Sequence, residues 1–415
     1  MTSRCTLPRP ASQSHRGGHA ARCIGVVWIA AVLFAAASPA WAQPSPDVIR
    51  VAIARNDPEV TLWISGPFTM TALTTGVLID GGRHLPTTAI RAAPNGLALG
   101  QRIVPYSGVR FEPSREAGIS LNGKRLRGAL EITRQQDATL LVVNHVGLED
   151  YLRGVLSKEA PDYWPAEALK AIAIAARTYA LYQRFTKAPS GYDVTGDVMS
   201  QEYGGHTGEK RATTQAVQAS AGLIVTYQGQ LFPTFYHSTC GGMTEHARVM
   251  GNFDLAPLQG GTACTLCQGS PFFHWQRRLT KADVGWALRR SPYGSIGAVS
   301  EMRVTKRTAR GRAEEVTVVG AARTLKLSGY DVRALFGFDR IRSPFFTIQP
   351  EGAATFLLDG HGWGHGVGLC QWGAAELARR GFSAREILGF YYPHADVASV
   401  QEWVSQPIRV IGGGS

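Results

Sequence analysis

The stretch from Ala166 to about Phe185 constrains this chain more than any other. It reads Glu167-Ala168-Leu169-Lys170-Ala171-Ile172-Ala173-Ile174-Ala175-Ala176-Arg177-Thr178-Tyr179-Ala180-Leu181. Alanine loses no side-chain freedom in a helix, and so many small side chains let other backbone approach closely. The run therefore predicts a central, buried helix, with the rest of the fold arranged around it.

A shorter amphipathic helix precedes it. Leu148, Tyr151, Leu152, Val155 and Leu156 follow the i, i+3, i+4, i+7, i+8 spacing, and Pro161 closes the segment. A third helix is expected from Lys210 to Ala219. Ser383 and Glu386 have capping-box spacing ahead of Ile387-Leu388-Gly389-Phe390-Tyr391, with Pro393 as the stop. Between Ile49 and about Val146 the pattern is β-type: Ile49 to Ile53, Val60 to Ile64, Ala129 to Ile132 and Thr139 to Val143, broken by glycine and turn residues. Leu223 to Tyr227, the turn Gln228-Gly229-Gln230 and Leu231 to His237 read as a hairpin. Residues 280 to 350 read as short strands and turns, including Val316 to Val319. With no repeat and no long linker, the expectation is one compact α+β unit, strand-rich around a few helices. Its parts are a β-rich segment 43–147, a core 148–395 and a tail 396–415.

Residues 1–42 are excluded from that unit. Arg4, Arg9, Arg16 and Arg22, without an acid, precede the apolar run Ile24 to Ala37 and the small-residue site Ala40-Trp41-Ala42, the pattern of a secretory signal. No later stretch has the apolar length of a membrane span, so no integral membrane segment is expected after cleavage. The formal charge of the whole chain is +12. Without the four signal arginines, 39 Lys and Arg face 31 Asp and Glu, a net +8 that suits an anionic cell wall. Export to the periplasm or beyond excludes nucleic acid as the partner.

Glu159 is the most informative acid. It lies four residues after Val155 and seven after Leu152, on the apolar stripe, where burial should raise its pKa and let it deliver a proton near neutral pH. The competing reading is a frayed helix end pointing to water. Glu149, Asp150, Arg153 and Lys158 fall off the stripe and predict a solvated ionic surface. Further on, Gly360, Gly362, Gly364, Gly366 and Gly368 alternate with His361, Trp363, His365, Val367 and Leu369. In an extended ribbon this gives one face of bare backbone, open to a sugar or another strand. The glycines and the missing HExxH glutamate argue against a zinc protease. Ser238 beside His237 lacks a nucleophile elbow, so both read as residues lining a cleft. Cys240, Cys264, Cys267 and Cys370 remain once Cys5 and Cys23 leave with the signal. The oxidising compartment favours two disulfides, and the CxxC spacing of Cys264 and Cys267 favours a structural zinc.

Four segments in order carry a resemblance. They are Leu148-Glu149-Asp150-Tyr151-Leu152-Arg153-Gly154-Val155-Leu156-Ser157-Lys158-Glu159-Ala160-Pro161 with the alanine helix, Ser200-Gln201-Glu202-Tyr203-Gly204-Gly205, Tyr236-His237-Ser238-Thr239-Cys240-Gly241-Gly242-Met243-Thr244-Glu245, and Gly362 to Ala374. Together they are similar to the stage II sporulation protein D (SpoIID/LytB) family of peptidoglycan lytic transglycosylases. The resemblance implies cleavage between N-acetylmuramic acid and N-acetylglucosamine to a 1,6-anhydro product, on peptide-stripped strands, with Glu159 as the catalytic acid and no cofactor required. It also favours Arg177, Tyr179, Gln201 and Tyr203 as bordering the active site, over Arg177 and Tyr179 merely anchoring a loop. With His237, Ser238, Gln371 and His365, the last a substrate-contacting or hydrogen-bonding residue, they make the expected cleft set, and Asp162, Glu202 or Glu245 are the candidates to support charge developing on the sugar ring. Cys240 and Cys370 stand where many relatives carry a small residue, which places the four cysteines together. Some members are described as enhancers of a cell-wall amidase, so a non-catalytic wall-binding enhancer is the alternative. A third reading is a zinc hydrolase built on His237, His365 and the cysteines.

Overall fold

The computed structural model describes residues 46–187, 191–407 and 409–411, so the signal-like segment lies outside the described residues. Alternation of buried and accessible residues builds two β-sheets at the start of the chain. A seven-stranded sheet runs in the order 194–195, 48–57, 140–147, 129–134, 108–113, 68–72 and 78–82. A six-stranded sheet runs 124–126, 119–121, 59–64, 85–93, 96–99 and 102–104. Ile49, Val51, Leu62, Ile64, Phe111 and Ile132 are fully buried in one core that both sheets share with the helices.

The helices are α1 (Leu148–Glu159), α2 (Ala166–Thr186), α3 (Arg211–Ala219), α4 (Lys281–Arg289), α5 (Gly329–Phe336), α6 (Gln371–Arg379), α7 (Ala384–Tyr391) and α8 (Val400–Val404). The alanine helix is central, as its composition requires. Ala168, Ala171, Ala173, Ala175, Ala176 and Ala180 have no accessible surface, and α2 touches α1, α3, α6, α7 and the strand Leu223–Thr226. The capping box of α7 is present, with Ser383 and Glu386 each bonding the other's backbone N–H. The fold is the expected α+β mixture.

Three local expectations are corrected. The 223–237 segment is not a hairpin beyond a single bridge between Tyr227 and Gln230. Leu223–Thr226 pairs instead with Asp396–Ser399, and Tyr236–His237 pairs in parallel with Leu369–Cys370. Pro233, which has no N–H to donate, interrupts the run between them. Residues 280–350 contain two helices, α4 and α5, each opened by a capping box with an aspartate at the third position, Thr280/Asp283 and Ser328/Asp331. Around them Trp275, Leu279, Leu288, Val316, Val332 and Leu358 form a second hydrophobic core.

The glycine ribbon is the third correction, because past His361 it is not extended. Gly364 sits at φ 113 and Gly368 at φ 69, where side chains are strained. A Cβ on Gly364 would meet the Cβ of His237 at 2.6 Å, and one on Gly368 the carbonyl oxygen of Phe235 at 2.0 Å. These glycines let two segments of the protein's own chain meet, as the expectation of another strand allowed, and Gly364 also borders the open cleft. At the end of the chain Trp403 is buried with its ring edge-on to Phe185 at 5.3 Å.

Candidate active site

α1 leaves its strand with the apolar stripe inward, so its last residue is delivered to the edge of the core. Glu159 opens there into a cleft of about 600 Å³. The cleft is lined by Tyr179 of α2, by Glu202, by Tyr236 to Ser238, by the turn Trp363 to His365, by Gln371, and by Tyr330, Arg333, Phe338 and Asp339 from the second core region. Glu159 keeps some surface through the cleft mouth, but protein encloses it on the other sides. Desolvation pushes its pKa up to about 7, against the opposing pull of hydrogen bonds from Gln371, Glu202 and Tyr236.

Those donors fix the carboxyl group in place. The backbone N–H of Glu202 donates to Oε1 at 3.3 Å, and the Gln371 side-chain amide donates to Oε2 at 3.2 Å. Behind Tyr236 lies a relay. The Gln201 amide donates to the Tyr236 hydroxyl oxygen at 2.8 Å and to the Ala176 carbonyl at 3.2 Å, while the Tyr151 hydroxyl donates to Gln201 at 3.0 Å. With its oxygen already accepting from Gln201, Tyr236 turns its own proton toward Glu159. Burial holds the phenols of Tyr151 and Tyr236 well above their ordinary range and that of Tyr179 up to about 12, so all three are neutral donors.

The two histidines are neutral as well. Burial, with the Arg312 charge nearby, pushes His237 down to about 3, and burial, with the Arg333 and Arg312 charges nearby, pushes His365 well below its ordinary value. His237 Nδ1 donates to the Val367 carbonyl at 3.0 Å, and its Nε2 is buried without a protein partner. His365 Nε2 donates to the Tyr236 carbonyl at 3.0 Å, and its Nδ1 accepts from the Val367 N–H at 3.0 Å. His365 therefore props the strand that carries Tyr236.

Of the residues expected at the substrate, Glu159, Tyr179, His237, Ser238, His365 and Gln371 share the cleft. Arg177, Gln201 and Tyr203 do not line it. Arg177 is fully buried in a two-pronged pair with Glu149, at 2.8 and 2.7 Å, and also donates to the Leu223 carbonyl at 3.0 Å. Glu149 is thus tied to the core edge by Arg177 while its side chain stays 35% exposed. Gln201 acts from behind through Tyr236. Tyr203 packs on Tyr151 at 5.3 Å and bonds Asn144 at 3.1 Å. Of the three candidate supporting acids only Glu202 faces the cleft, with Lys158 at 3.7 Å. Asp162 pairs with Lys210, and Glu245 is buried against Arg312 and Thr308. The sequence pattern does not single out Tyr236, which stands inside a motif without a distinguishing signal, nor Arg333, Phe338 and Asp339, which depend on the unexpected α5.

Below the cleft floor Cys240, Cys264, Cys267 and Cys370 are all buried, with their sulfurs mutually within 4.8 Å. Four thiolates around a zinc at about 2.3 Å stand roughly 3.8 Å apart, so the set fits a tetrahedral metal. The Cys240 N–H donates to Cys370 Sγ at 3.3 Å, and Tyr391 Oη lies 3.2 Å from Cys264 Sγ. Hydrogen bonds from the other three hold the Cys267 thiol far below its ordinary range. Among the described residues no histidine joins this group, so nothing supports a hydrolytic site built on His237, His365 and the cysteines.

This geometry can be set against known proteins. A family model described as stage II sporulation protein matches residues 136–227, and one described as a domain of unknown function matches 265–368. An uncharacterised protein of Brachyspira hyodysenteriae is 30% identical over 364 residues, covering 86% of this chain and 94% of that protein. Stage II sporulation protein D of Bacillus subtilis is 26% identical, covering 72% of this chain and 92% of that protein. The amidase enhancer of Bacillus subtilis is 26% identical over 60% of this chain, which spans only 40% of that longer protein. The chain belongs to the stage II sporulation protein D family, a family of cell-wall remodelling proteins. No helix of the described residues is long and apolar enough to cross a membrane.

Proposed function

We propose that this protein is a lytic transglycosylase of peptidoglycan, exported to the periplasm or the wall, with Glu159 as its one essential carboxyl group. The observation that carries the reading is a glutamate in a cleft, held near pKa 7 by desolvation and oriented by three hydrogen-bond donors. A protonated Glu159 donates to the glycosidic oxygen between N-acetylmuramic acid and N-acetylglucosamine as the C1–O bond breaks. The resulting carboxylate takes the proton of the sugar's own 6-hydroxyl, whose oxygen closes on C1 to give the 1,6-anhydro ring. One group serves as acid and then base, so the second carboxylate of ordinary glycosidases is not needed. Gln371, Tyr236 and the Glu202 N–H strengthen their bonds to Glu159 when it becomes charged, which lowers the energy of the ion formed midway.

In the same reading the four cysteines hold a structural zinc, favoured over two disulfides because all four sulfurs converge on one point. When bound, the metal supplies no chemistry to the sugar. It ties the segment after Ser238, the 264–267 turn and the start of α6, where Cys370 precedes Gln371. Digestion of peptide-stripped peptidoglycan by wild type and by Glu159→Gln, with products analysed by mass, tests the proposal. Anhydro-muramic ends that disappear with the variant support it. A folded wild type that binds glycan without cutting it rejects the enzyme and supports the enhancer reading, which the amidase-enhancer relative keeps as the alternative.

A further inference from the structure

Arg333 lies on α5, inside the second core, and is only 4% exposed, yet it lines the Glu159 cleft. Buried guanidiniums are expensive unless paired. The other two arginines buried to this degree among the described residues are paired: Arg177 with Glu149 and Arg312 with Glu245. Arg333 has no carboxylate within 4 Å among the described residues. Its Nε donates to the Ile341 carbonyl at 2.9 Å, and its guanidinium stands over the Phe338 ring at 4.8 Å. Those two contacts fix its plane and use one of five N–H donors. The remaining four have no protein acceptor among the described residues.

Its surroundings fix the sign of the missing partner. Arg333 is the one Lys or Arg among the described residues that line the cleft. Asp339 sits at the same wall, exposed to solvent, and its charge acts on Arg333 only from beyond ion-pair distance. His365, close enough to feel the Arg333 charge, is neutral and adds none of its own. The fork is therefore oriented, largely desolvated and open to an anion entering beside Glu159. A guanidinium held this way matches a carboxylate in two parallel bonds.

In the glycan strand the candidate carboxylate belongs to muramic acid. Its lactyl group is an amide while the stem peptide is attached and becomes a free carboxylate once the peptide is removed, whereas N-acetylglucosamine carries no acid. We propose that Arg333 binds the lactyl carboxylate of peptide-free N-acetylmuramic acid, which makes α5 the element that senses whether the stem peptide is gone. The inference rests on the glycan-cleaving reading for its choice of substrate, and its test is a binding measurement that does not need turnover.

The probe is a set of soluble glycan oligomers: peptide-free with the lactyl carboxylate intact, peptide-free with that group converted to its methylamide, and peptide-bearing. Dissociation constants are measured with Glu159→Gln protein, alone and combined with Arg333→Gln or Arg333→Lys. The carboxylate form should bind about 10- to 100-fold more tightly than the methylamide. Arg333→Gln should erase that ratio, and Arg333→Lys should keep part of it. Ratios within about twofold in the Arg333-containing protein, or a ratio that survives Arg333→Gln, overturn the proposal. Peptide-bearing strands that bind as tightly as stripped ones, through Arg333, would assign the site to a stem-peptide carboxylate and overturn it too. Discrimination without any cleavage by wild type leaves the Arg333 site standing and removes the transglycosylase. Cleavage without discrimination does the reverse.

Discussion

Arg177 in the α2 body and Arg333 in the second core are both buried guanidiniums, and they differ in what they face. Arg177 takes both oxygens of Glu149 and two backbone carbonyls, so its charge is consumed in joining α2 to α1, to the α3 end and to the strand at Leu223. Arg333 is held by one carbonyl and one ring, and the rest of it fronts the cleft. Burial alone does not distinguish scaffold from site. The partners do: Arg177 is engaged within the scaffold and does not line the cleft, whereas Arg333 faces it.

The same contrast separates Glu159 from the other buried acids. Asp193 and Glu245 are matched by arginines, whereas Glu159 meets only neutral donors and is pushed up. Replacing it should therefore have the largest consequence of any cleft substitution. Glu159→Gln is expected to lower cleavage by about 10²- to 10⁴-fold with binding retained, measured by product release and by glycan affinity.

Next in size is the four-sulfur centre. One zinc per chain is expected by elemental analysis, and stripping it with a chelator or substituting Cys264→Ser should lower Tm by roughly 10 °C. An unchanged Tm in metal-free, reduced protein would instead leave the sulfurs without a structural role. Arg177→Met should destabilise by about 2 to 4 kcal/mol in denaturant unfolding, since it strands Glu149 beside the core. Arg333→Met, which strands no partner, should leave stability unchanged or raised. If the two variants cost the same, the distinction drawn between them fails.

Smaller effects probe Glu159 from the stability side. Its folded pKa of about 7 lies above the 4.5 of an unperturbed glutamate, so its contribution to stability is intact below 4.5 and lost as pH rises through 7. Glu159→Gln should therefore be roughly 1 to 3 kcal/mol more stable than wild type at pH 8 and close to equal at pH 4, by unfolding at both values. Last, Tyr236→Phe removes a donor to the ionised form. It should move the alkaline limb of the cleavage profile upward by up to about one pH unit.

Legibility in the sequence followed the length scale of the forces involved. α1, α2 and α7 could be read because periodicity, alanine content and a capping box are local signals, and the position of Glu159 on the stripe followed from α1. α4 and α5 were missed although Thr280/Asp283 and Ser328/Asp331 carry the same spacing, because aspartate stands where glutamate was sought and Gly285 and Gly329 weaken the helical pattern. Without α5, Arg333 had no face and no neighbours. Tyr236 was visible only as part of a motif, since its role comes from Gln201, 35 residues away, and from Glu159 across the fold. The glycine alternation is plain in the sequence but its geometry is not, because alternating glycines suit a strand and a string of positive-φ turns equally well.

The central claim is that Glu159 activates the sugar's own hydroxyl and not a water molecule. Digestion of peptide-stripped glycan by the wild-type protein in ¹⁸O-labelled water tests it most directly. The account predicts muramic ends lighter than hydrolytic ends by one water and free of label. Labelled reducing ends would show that water attacks C1, and the protein would then be a hydrolase with a second catalytic group yet to be assigned.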